Sequence, residues 1–118
     1  MNLNKIVYVA IPFTSPSMME KHLRFEVANS VSAVLMERGE IVFSPISMGW
    51  PIQQASRNGI TTEWSYWKET CTAYLSACRK LYVITIDGWK KSVGVQAEIR
   101  IAEDLGLEIE YIDPKDFA

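Results

Sequence analysis

Ile6-Val7-Tyr8-Val9-Ala10-Ile11 is a continuous apolar run rich in β-branched residues. It lacks the alternation of a half-exposed strand, so both of its faces need cover, and a parallel sheet with helices on either side supplies it. Pro12-Phe13-Thr14-Ser15-Pro16 breaks the run. Ser17-Met18-Met19-Glu20 then has capping-box spacing, with Ser at the N-cap and Glu at N3, and predicts the start of a helix. Leu23, Val27, Val31, Val34 and Leu35 recur at helical spacing, and Gly39 follows Arg38 where a left-handed residue ends a helix.

Outward from this opening the pattern repeats. Ile41-Val42-Phe43 reads as a short strand ended by Ser44-Pro45, and the stretch to about Thr61 reads as a long loop rich in Gly, Pro, Ser, Gln and Asn. A second helix from Thr62 places Trp64, Trp67, Cys71, Tyr74, Leu75 and Cys78 on one stripe. Leu81 to Ile86 reads as a buried strand ended by Asp87-Gly88. A third helix from Val93 to Leu105, a Gly106 stop and a strand at Glu108–Ile112 complete the order. Alternation of this kind, with right-handed crossovers, predicts a doubly wound α/β Rossmann-like (flavodoxin-like) sandwich of about four parallel strands with helices on both faces. Ligands in such folds bind beyond the carboxyl ends of the strands, here Pro12 to Ser17, Ser44 to Gly49 and Asp87 to Gly94.

A length of 118 residues, 48% of them hydrophobic, suits one domain spanning residues 1–118. With 12 Lys+Arg against 14 Asp+Glu there is no long-range field to favour nucleic acid or an anionic membrane, so any bound anion must be held by local geometry. Met1-Asn2-Leu3-Asn4 leads straight into the strand pattern without a leader, and no apolar run reaches the roughly 18 residues of a membrane span, so a cytoplasmic protein is expected. Cys71 and Cys78 read as small core residues about two turns apart on one helix, too far for a disulfide. With a single histidine, His22, no zinc cluster is expected; no metal and no cofactor enter the reading.

The segment Asp87-Gly88-Trp89-Lys90-Lys91-Ser92-Val93-Gly94-Val95-Gln96-Ala97-Glu98 leads from a strand end through a polar turn into a helix. Ser92 stands at the N-cap, and Gly94 lets a ligand approach the first-turn N–H groups; a cap and a close-packing glycine are the alternative. Glu98 shares its face with Ile101, Ala102 and Leu105, which aims a carboxylate at the sheet near the binding edge. There it is a candidate nucleophile toward a sugar anomeric carbon, against the plainer alternative of a surface glutamate favoured by the helix dipole. Asp87 is either a ligand-orienting carboxylate or half of a common Asp-Gly turn. The aromatics Phe13, Trp50, Trp64, Trp67 and Trp89 are candidates for stacking on a base or for packing.

Taken together, Val7-Tyr8-Val9-Ala10-Ile11-Pro12-Phe13-Thr14, Gly39 with Val42-Phe43-Ser44-Pro45-Ile46, and Asp87-Gly88-Trp89 with Ser92 to Glu98 resemble the nucleoside 2-deoxyribosyltransferase-like superfamily, and more closely a short branch frequent in bacteriophages and prophages. The resemblance implies that Glu98 is the nucleophile; the reading of the residues adds Asp87 to orient the ligand. It also implies that Pro12, Phe13 and Thr14 contact the sugar and any 5′-phosphate, with Ser44 at the same edge. Ser92 stands where relatives acting on free nucleosides carry Asp and where nucleoside 5′-monophosphate N-hydrolases carry Ser. A serine beside backbone N–H groups accepts a dianion that an aspartate repels, so a 5′-monophosphate is the implied substrate.

The family's acidic partner in the preceding helix has no clear counterpart. Cys71 or Thr72 falls near its position, and Glu69 is the nearest acid. The resemblance also implies a homodimer, for which the Trp-rich stripe of the second helix is the expected interface. The resulting expectation is an enzyme cleaving the N-glycosidic bond of a nucleoside 5′-monophosphate or nucleoside, by hydrolysis or 2-deoxyribosyl transfer. The alternative is a catalytically inactive nucleotide sensor or sponge of the same fold, and a weaker third reading is a purely structural protein.

Overall fold

The computed structural model describes residues 4–117; Met1 to Leu3, within the stretch read as lacking a leader, and Ala118 lie outside the described residues. Four strands, β1 (Ile6–Ala10), β2 (Ile41–Phe43), β3 (Cys78–Ile84) and β4 (Glu108–Ile112), form one all-parallel sheet in the order β2-β1-β3-β4. The helices are α1 (Met18–Glu37), α2 (Pro45–Ala55), α3 (Trp64–Ser76) and α4 (Val93–Asp104). Short 3-10 turns stand at Trp89–Lys91 and Pro114–Phe117.

The apolar run of β1 is covered on both faces, as its composition demands. Val7, Val9 and Ile11 pack on Ala28, Val31 and Leu35 of α1. Tyr8 and Ala10, pointing the other way, pack on Leu75 of α3 and on Val95, Ile99 and Ala102 of α4. Each fully buried Val, Leu or Ile contributes about 1.5–3 kcal/mol, so the double cover fixes β1 at the sheet centre. The chain is an α/β Rossmann-like sandwich.

Local signals set most boundaries. Ser17 caps α1, its Oγ accepting the Glu20 N–H at 3.2 Å, and Gly39 follows with φ +92°. The buried face of α1 is turned by about one position from the one read in sequence: Arg24, Ala28, Val31, Ser32 and Leu35 are buried, while Leu23 is 53% exposed.

Two expectations are corrected. The segment after Phe43 is not a long loop, because Pro45 takes the first position of α2, where its missing N–H costs nothing. Pro51 inside that helix does forfeit a hydrogen bond, and the helix persists because Trp50 is wedged among Phe13, His22 and Phe25, with ring centroids 5.2, 4.8 and 5.1 Å away. Cys78 belongs to β3 rather than to the second helix, which ends at Ser76. Both cysteines are free and buried in the same core cluster. Among the described residues no helix is long and apolar enough to cross a membrane.

Candidate functional site

The chain reverses its direction of travel across the sheet between β1 and β3, and the crevice beyond their carboxyl ends holds a cavity of about 610 Å³. Ile11 to Thr14 form one side, and the first turn of α4 forms another. Buried Trp50 of α2 and the opening of α3 close the remainder. The volume falls within the range of small-molecule sites.

Glu98 reaches the cavity from the second turn of α4 and is only 5% exposed. The Tyr8 hydroxyl, at the centre of β1, donates to its Oε2. Burial pushes the Glu98 carboxyl up to about 8, with the Tyr8 hydrogen bond pulling against it. The Tyr8 phenol is driven well above its ordinary value, by burial first and by the Glu98 charge second. Cys71 lies beside the pair, its thiol raised to about 11 by burial and then by Glu98. It lines the cavity where the resemblance led to an acid.

At the start of α4, Ser92 Oγ accepts the Val95 N–H at 3.2 Å, so this serine is a cap. The N–H groups of Val93 and Gly94 have no intrahelical acceptor, and both residues line the cavity. A Cβ on Gly94 would stand 3.6 Å from the Trp64 ring, in ordinary contact, so protein packing does not require glycine there.

Arg24 is the site residue that sequence reading missed. Its guanidinium is nearly buried, pairs with Glu20 at 2.8 Å, and donates to the backbone carbonyls of Thr14 at 3.3 Å and Asp87 at 3.2 Å. It therefore ties the loop after β1 to the loop after β3 and lines the cavity between them. Gly88 accommodates it: φ is +94°, and a Cβ would lie 2.9 Å from Arg24 Nη2. Lys91 adds a second cation at the same margin. The available signal was an arginine on the inward face of a helix, a position that a cation occupies only with partners. Tyr8 gave a similar signal, a phenol inside a run that is apolar on both faces.

The structure gathers Pro12, Phe13, Thr14, Ser92, Gly94 and Glu98 around one cavity. Three proposed residues stand elsewhere. Asp87 is exposed and absent from the cavity lining; it serves the site through its carbonyl, because the tight turn at Gly88 carries its side chain outward. Ser44 is buried but turned toward α1, sharing a 2.7 Å hydrogen bond with Ser47, which bonds Asn29. Glu69 is exposed on α3 and does not line the cavity. Trp64 and Trp67, of the stripe expected at an interface, are half-buried and line the cavity; Trp67 Nε1 donates to the Thr61 carbonyl at 2.6 Å. Among the described residues no group of three or more His, Cys, Asp or Glu converges to hold a metal.

A family model described as a domain of unknown function (DUF1937) matches residues 5–112. No curated protein matches the chain.

Proposed function

For a chain that belongs to the family of the domain of unknown function DUF1937, whose description names no activity, we propose hydrolysis of the N-glycosidic bond of a nucleoside 5′-monophosphate, with Glu98 as nucleophile. The observation that carries this reading is the buried Glu98 carboxyl, held by Tyr8 in the same cavity as an anion-ready helix start. A carboxylate with one oxygen fixed by Tyr8 presents the other to an anomeric carbon. The Val93 and Gly94 N–H groups, with Arg24 and Lys91, suit a phosphate dianion. The aromatic side chains of Phe13, Trp64 and Trp67 suit a base.

In this mechanism Glu98 attacks C1′, the C1′–N bond breaks toward the base, and the sugar is held as an ester of Glu98. Water then displaces Glu98 from C1′. An acceptor base in place of water gives 2-deoxyribosyl transfer from the same intermediate. Because Glu98 must be ionised to attack, base release rises as pH approaches about 8. A cytoplasmic homodimer is the proposed setting, with light scattering as its check.

The decisive experiment is chromatography of free base after incubation with nucleosides and their 5′-monophosphates, with and without an acceptor base. Release by the wild-type protein and none by Glu98→Ala is the expected result, and normal turnover by that variant overturns the mechanism. A second reading, a nucleotide-binding sensor without turnover, is favoured by the proton that burial keeps on Glu98 near neutral pH and by Cys71 in place of an acid. Nucleotide binding unchanged in Glu98→Gln, with no base released by either protein, selects it.

A further inference from the structure

A neutral base leaves slowly unless a proton reaches it as the glycosidic bond breaks. The titratable side chains around the cavity are Arg24, Glu63, Cys71, Lys91 and Glu98. A guanidinium gives up no proton, which removes Arg24 as an acid. Lys91 adjoins the start of α4, at the anion end of the cavity. Cys71 is sunk beside Tyr8 and Glu98, and a thiol near 11 is a poor acid for this step. Glu98 is occupied as the nucleophile.

Glu63 remains. It stands at the N-cap of α3, immediately before Trp64 and on the stretch of chain that supplies the aromatic side chains proposed to meet the base. Its backbone is fixed: the carbonyl accepts the N–H groups of Tyr66 at 3.1 Å and Trp67 at 3.3 Å, and its own N–H donates to Thr61 Oγ1 at 2.9 Å. Its carboxylate has no hydrogen bond or ion pair among the described residues. The residue is exposed, so water can reach its carboxyl.

We propose that Glu63 is the general acid for the departing base and the general base for the water that follows, a role that rests on the N-glycosidase reading above. As Glu98 bonds to C1′ and the C1′–N pair passes to the base, the Glu63 carboxyl gives that nitrogen system its proton and becomes a carboxylate. The carboxylate then takes a proton from the attacking water, whose oxygen bonds to C1′ while the ester bond to Glu98 breaks. Both residues return to their starting protonation.

The test compares wild type, Glu63→Gln and Glu98→Ala on the common nucleoside 5′-monophosphates and on N7-methylguanosine 5′-monophosphate, whose cationic base leaves without a proton. In the first turnover, before water attacks the ester, Glu63→Gln is expected to slow release of neutral bases at least about 100-fold while staying within about threefold of wild type on the methylated nucleotide, and Glu98→Ala is expected to lose both. If wild type accepts neutral bases alone, small-carboxylate rescue decides: recovery of release by Glu63→Ala on addition of formate supports the role, and no recovery overturns it. Equal losses on both substrate classes, or none on either, also overturn it. A wild-type protein that releases no base from any nucleotide overturns the glycosidase reading instead.

Discussion

Tyr8 on the central strand and Glu98 on α4 meet through a hydrogen bond from the phenol to the carboxylate, both side chains being almost wholly removed from solvent. The contact joins sheet to helix at a residue that lines the cavity. A hydrogen bond to a charged group is worth about 1.5–3 kcal/mol when one partner is removed, which corresponds to a rate change of about one to two orders of magnitude.

Tyr8→Phe is therefore expected to lower kcat for base release about 10- to 100-fold with a smaller change in KM. Because the hydrogen bond pulls the Glu98 carboxyl down against burial, its loss moves the rising limb of the pH profile above about 8. A kcat profile measured from pH 6 to 10 on both proteins reads the two effects, and an unmoved limb would separate Tyr8 from the ionisation of Glu98.

Glu98 also makes stability depend on pH. The native carboxyl keeps its proton up to about 8, whereas the unfolded one loses it near its ordinary value of 4.5. Native protein thus binds more protons across that window, and this contribution, full below about 4.5, is lost as pH rises toward about 8. The total is on the order of a few kcal/mol. Glu98→Gln cannot titrate, so its Tm advantage over wild type is expected to grow from pH 5 to pH 8; a constant difference would show that burial does not hold the proton.

Arg24→Ala removes a cavity cation and the tie between the loops after β1 and β3. Expected are a KM for the 5′-monophosphate raised tenfold or more, a lesser effect on the free nucleoside, and a lower Tm. Equal effects on both substrates would restrict Arg24 to holding the loops.

Gly88→Ala meets two penalties, a φ of +94° and a Cβ 2.9 Å from Arg24 Nη2. The strained backbone alone costs about 1–3 kcal/mol, so thermal unfolding is expected several degrees lower, with phosphate affinity falling in parallel as Arg24 is displaced. Gly39→Ala shares the positive φ without a neighbour within 4 Å and is the control that separates strain from collision.

The sequence carried those features that depend on neighbours along the chain. Strand runs, the Ser17 and Ser92 caps, the glycine stops and the alternation of elements are local preferences, and they sufficed to predict the parallel α/β sandwich. The inward aim of Glu98 was legible too, since helical period places it with Ala102. Helix α2 was not, because Pro51 and Gly49 oppose it locally and tertiary packing, above all of Trp50 against α1 residues and Phe13, sustains it.

Tertiary structure decided which polar groups share the cavity. Arg24 and Asp87 are joined through a backbone carbonyl that no residue pattern specifies, and a turn of backbone at Gly88 sends the Asp87 carboxylate away from the site it was expected to serve. Tyr8 and Glu98 lie ninety positions apart and meet because the order β2-β1-β3-β4 places β1 in the centre beneath α4. Periodicity within one segment fixes the direction of a side chain relative to its own element. What that side chain touches is fixed by the positions of the other elements, which are set by burying the whole apolar surface at once.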